Sequence, residues 1–195
     1  RAFALRHPAQ YVLELIQVAV LSGATYIAVE SHPERLLIAW VGGKTLQAQE
    51  LSNLMDYLFA DRGDEATRTL VQLAVGINAL LQRNPAEVLI ESGNGENTIR
   101  MNLKPNGEGE VGIVEETISG TYISAKFRQG WFQRIAGNIH TDESHLIEER
   151  CMYAPIPILL NGRAPFGYRA SKHIEIFGAR KQHNFHQKER RGVMA

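Results

Sequence analysis

Glu14 and Val18 stand four residues apart in Glu14-Leu15-Ile16-Gln17-Val18-Ala19, a spacing that puts both side chains on one helix face. A carboxylate in that setting can take a proton from water or pair with a base. Its partner position carries an aliphatic group with no oxygen for a metal. A second concentration of informative residues is Leu37-Ile38-Ala39-Trp40-Val41-Gly42-Gly43, a strand pattern ending in two glycines. A third is Leu73-Ala74-Val75-Gly76-Ile77, and a fourth is the pair Gly120-Thr121. Read alone, Gly42-Gly43 signals a strand-ending turn, and Glu14 signals an edge-of-core carboxylate paired with a basic residue.

The elements around these residues follow from periodicity. Val12, Leu15, Ile16, Ala19 and Val20 recur at helical spacing between Pro8 and Gly23. Thr25 to Glu30 and Leu36 to Val41 read as an antiparallel hairpin, and Gln47 to Phe59 as one helix. Glu65 to Gln82 returns to helical spacing through Leu70, Leu73, Ile77 and Leu81. Glu87 to Ser92 and Thr98 to Lys104 are strands joined through Gly93-Asn94-Gly95, followed by strands Val111 to Glu116 and Thr121 to Phe127. Further on, Trp131 to Ile135 and Glu143 to Cys151 read as helices, the second capped by Thr141, with strands at Ile156 to Leu160 and His173 to Phe177. The predicted class is α+β, a two-layer sandwich of helices on a mostly antiparallel mixed sheet.

In this order the parts resemble the GHKL nucleotide-binding superfamily of gyrase, ninety-kilodalton heat-shock chaperones, histidine kinases and MutL. The likeness covers residues 11–127, is nearest the chaperone-like branch, and leaves 128–178 as an uncertain extension and 179–195 as a basic C-terminal tail. The motifs are short, and their order carries the likeness. The family's first motif is Glu-Leu-Ile-x-Asn-Ala, whose glutamate orients the attacking water and whose asparagine holds magnesium. Glu14 takes the glutamate position, as general base or vestige, and Val18 takes the asparagine position. Magnesium requires oxygen ligands, so the resemblance implies that its protein ligand is lost.

The second motif is Asp-x-Gly-x-Gly, whose aspartate accepts from adenine. Trp40 falls on the aspartate and Gly42 on the first glycine, with Gly43 beside it. An indole only donates, and its bulk could take the adenine cavity. The third motif, a Gly-x-Gly opening a phosphate-cradling helix, matches with Ala74 for the first glycine and Gly76 for the second. The Gly-Thr of the fourth motif is intact, and its threonine, Thr121, would help hold adenine. The resemblance thus places a pocket between the Glu14 helix, the Trp40–Gly43 turn and the lid ending at Gly76.

The functional expectation is a degenerate heat-shock-90-like domain with weak or lost ATP or ADP binding, acting as a structural or protein-interaction module of a larger protein. The rival expectation is a working chaperone-like ATPase using Glu14 as base. A protein partner, the remainder of a longer chain or a homodimer fits the resemblance.

Composition sets outer bounds. The chain of 195 residues carries 21 basic and 21 acidic side chains, which gives no reason to expect nucleic acid. Cys151 is the only cysteine, in keeping with a reducing, cytoplasmic setting. No apolar run reaches the roughly 18 residues of a membrane span. The start at Arg1 without methionine suggests a part of something longer. The seven histidines show no complete metal-ligand spacing, and no Gly-x-Ser-x-Gly elbow is present.

Overall fold

A computed structural model of the chain describes residues 7–61, 63–128 and 141–164. Helix α1 (Tyr11–Leu21) leads into strands β1 (Ala24–His32) and β2 (Arg35–Gly42). A short helix α2 (Ala48–Ser52) and a 3-10 helix (Leu54–Phe59) precede the long α3 (Glu65–Leu81). Strands β3 (Glu87–Asn94), β4 (Thr98–Leu103), β5 (Gly109–Val114) and β6 (Ser119–Lys126) follow, then α4 (Asp142–Arg150) and β7 (Ile158–Leu160). The class is α+β, as the sequence predicts.

The strands form one seven-stranded sheet in the order β5-β4-β3-β6-β2-β1-β7, antiparallel throughout except for β7, which runs parallel to β1. Alternation selects the buried face. Ile27, Val29, Leu36, Ile38, Trp40, Thr121, Ile123, Ala125, Val88 and Ile90 are buried, whereas several intervening residues are only half-buried. The core comprises that face and the apolar sides of α1 and α3, including Leu15, Val18, Ala19, Leu73, Ala74, Ile77 and Leu80.

Local chemistry explains the element ends. Asp64 caps α3 by accepting from the Thr67 amide at 2.8 Å, and Thr141 caps α4 by accepting from Ser144 at 3.1 Å. The predicted helix over 47–59 is divided. The turn carries a capping box, with Glu50 accepting from the Gln47 amide at 2.8 Å, but ends at Ser52, and the chain tightens into 3-10 geometry. Pro8 lies in a turn, and α1 begins three residues later, at Tyr11. The predicted helix at 131–135 and strand at 173–177, and the basic tail, lie outside the described residues.

The segment 141–164 docks through polar contacts as well as β7. Tyr11 Oη donates to Glu143 Oε1 at 2.8 Å, and Arg83 stands 3.6 Å from the same oxygen. The Ser31 and Thr141 hydroxyls share a hydrogen bond of 2.6 Å, and the Ser31 amide donates to Asn161 Oδ1 at 2.8 Å. These contacts close the β1 edge.

Candidate functional site

Trp40 and Thr121 are register partners on neighbouring strands β2 and β6. The positions that the resemblance assigns to the purine are therefore adjacent. Trp40 is 2% exposed and Thr121 1% exposed, and both point into the helix-covered face. The Thr121 hydroxyl shares a hydrogen bond of 2.8 Å with Ser92 Oγ, which accepts from the Leu46 amide at 2.9 Å. This buried chain of contacts satisfies the threonine within the protein and fastens the 43–47 loop to the sheet.

Gly120, just before Thr121, has φ +117, and a Cβ there would meet the Trp40 carbonyl oxygen at 2.2 Å. Glycine is required because the two backbones touch. Gly42 and Gly43 turn the chain with φ +77 and +76. A Cβ on Gly43 would stand 2.2 Å from Ser22 O, the atom that accepts from the Lys44 amide at 2.8 Å. The turn thus seats the loop on the C-terminal end of α1.

Beside Trp40 is a cleft of about 320 Å³. Its apolar wall comes from Val18 and Leu21 of α1, Trp40 of β2, Leu46 of the loop and Leu70 of α3. Polar groups line it too, from Ser22, Lys44, Thr45, Glu50, Glu65 and Thr69. Lys44 Nζ is 3.3 Å from Glu50 Oε1. Among the lining residues, one cation thus faces two carboxylates. The N-terminal end of α3 meets this cleft, yet Asp64 already accepts from its amide, and those bonds hold the Asp64 carboxyl below its ordinary value.

The predicted site residues divide into those that meet here and those that do not. Val18 and Trp40 line the cleft; Gly42 and Gly43 lead into it; Thr121 lies beside Trp40 on the next strand. Glu14 is absent from the lining. Its carboxylate accepts from Gln10 Nε2 at 3.3 Å and from Gln72 Nε2 in a close contact between α1 and α3. Ala74 and Gly76 also lie away from it, in correction of the phosphate-loop expectation. Both sit in the interior of α3, whose N-terminal amides are near Glu65, so neither opens a helix. The pocket's third wall is accordingly the start of α3, at 65–70, rather than Gly76. Gly76 instead admits α1: a Cβ there would meet Leu15 Cδ2 at 2.7 Å and Glu14 Cβ at 3.4 Å.

Gln72 and Ser92 belong to none of the four motifs. The signals were present: Gln72 is the lone polar residue in Leu70-Val71-Gln72-Leu73-Ala74, and Ser92 follows Val88 and Ile90 at inward alternation. Among the described residues, no group of three or more His, Cys, Asp or Glu side chains is placed to hold a metal, and no helix is long and apolar enough to cross a membrane. No protein-family model matches the chain, and no curated protein matches it.

The arrangement can enclose a small apolar group. Its groups for an anion are one lysine beside a carboxylate and a helix start whose Thr67 amide is bonded to Asp64.

Proposed function

We propose that the chain is a degenerate GHKL-type domain, heat-shock-90-like in lineage, that has lost productive ATP binding and serves as a structural or protein-interaction module. The observation that carries this reading is the pairing of Trp40 with Thr121, whose hydroxyl is bonded to Ser92. An acceptor for a purine amine is replaced by a group that only donates, and the neighbouring hydroxyl is already partnered. Losing a hydrogen bond to a charged acceptor costs about 1.5–3 kcal/mol, roughly ten- to a hundredfold in affinity. Val18, fully buried, supplies no ligand to magnesium.

Support for loss of hydrolysis comes from Glu14, whose carboxylate is engaged by two amide groups and lies outside the cleft wall. A general base must reach the proton it removes. The deciding experiment is a thermal-shift and calorimetric titration of the 195-residue chain with ATP and magnesium. No saturable change is expected up to millimolar nucleotide; a saturable rise in melting temperature overturns the proposal.

A further inference from the structure

We infer that the cleft beside Trp40 is a binding site for a compact ring compound bearing a positive charge, such as an arylalkylamine. The inference rests on the reading that the cleft no longer takes a triphosphate, and deepens it by naming what the same walls would accept.

Size and lining give the ring. A volume of about 320 Å³ is at the lower end of small-molecule pockets, and the floor joins Val18, Leu21, Trp40, Leu46 and Leu70. Apolar cavities of about half that size hold a benzene ring. Trp40, itself almost wholly buried, contributes the rigid part of that floor.

Charge gives the amine. Glu50 and Glu65 line the cleft, and Lys44 is its one cation. Lys44 is 3.3 Å from Glu50, so within the lining the second carboxylate, Glu65, has no ammonium of its own. Asp64, next in the chain, is held in its anionic form by its bonds to Thr67. Among the lining side chains one ammonium stands against two carboxylates, a balance of charge that favours a cation over an anion. A ligand with its ring on the apolar floor and its ammonium toward Glu65 meets both halves.

Three probes with one ring test the idea on the full chain: tryptamine, uncharged indole and indole-3-propionate. Saturation-transfer NMR and thermal shift should rank them in that order, with tryptamine about five- to tenfold tighter than the propionate at low salt. Thr69→Trp, placed on a half-exposed face of α3, should fill the cleft and abolish binding of all three. Glu65→Gln, at an exposed position, should shrink the tryptamine preference several-fold while sparing indole. The inference is overturned if none of the probes binds, if the propionate binds best, or if neither substitution alters binding. Saturable binding of magnesium-ATP would instead defeat the loss-of-nucleotide reading itself, and the two failures are therefore distinct.

Discussion

Tyr11, at the start of α1, donates its phenolic proton to Glu143, 132 positions later, and both side chains are buried. This bond ties α1 to α4. Tyr11→Phe removes the donor and leaves the Glu143 carboxylate with Arg83 at 3.6 Å as its nearer partner. The expected loss is about 1–3 kcal/mol. Urea unfolding should show a lower midpoint with an unchanged slope.

The same phenol bears on alkaline stability. Burial, and the negative charge of Glu143 beside it, push the Tyr11 hydroxyl far above its ordinary value of 10.0. Burial raises Cys151 from 9.0 to about 11 and Tyr26 from 10.0 to about 12. Above the ordinary values these groups ionise in the unfolded chain while the native chain keeps its protons. The unfolded state then binds fewer protons, and stability falls as pH rises. Denaturation series should show full stability from these groups below pH 9 and a decline above it. Cys151→Ala should flatten the part between about pH 9 and 11, and Tyr11→Phe the part above 10.

Gly120 and Gly112 provide a matched pair of substitutions. At Gly120, with φ +117 and Trp40 O at 2.2 Å from any added Cβ, alanine should cost about 3 kcal/mol or more, or prevent folding. At Gly112 on β5, an added Cβ meets nothing within 4 Å, and alanine should change stability by no more than about 1 kcal/mol. Equal effects at both positions, read by thermal unfolding, would contradict the contact between β6 and β2 described above.

Glu14→Gln separates structure from chemistry. The amides of Gln10 and Gln72 now address a carboxylate, and an amide in its place keeps one acceptor only. The variant should be less stable by about 1 kcal/mol. Phosphate release from ATP should stay at background in both proteins. Measurable turnover in the parent that disappears in the variant would restore Glu14 as a base.

Much of the architecture was legible because periodicity and turn chemistry act locally. The run from Leu70 to Leu81 marks α3, Gly93-Asn94-Gly95 marks the passage from β3 to β4, and Thr141 marks the start of α4. The parallel pairing of Ile158–Leu160 with Ile27–Val29 was not legible, since nothing in three aliphatic residues specifies which strand they join. At the site, adjacency of Trp40 and Thr121 follows from β2–β6 register, a non-local property that motif order could suggest but spacing could not give. Gly76 misled for a physical reason. A glycine can open a phosphate-binding helix or admit a close neighbour from within one, and the place of Gly76 inside α3 with Leu15 against it shows the second. Glu14 was readable as a carboxylate on the packed side of α1, but its Gln72 partner belongs to another helix 58 positions away.

The indole of Trp40 is attached to the backbone that it supports. A free heterocycle lodged in the same wall would stabilise the fold only as the logarithm of its concentration over its dissociation constant. A ring on the chain cannot be dialysed away, outcompeted or exhausted. Its contribution to the midpoint of unfolding should thus be the same in buffer, in dilute lysate and in starved cells.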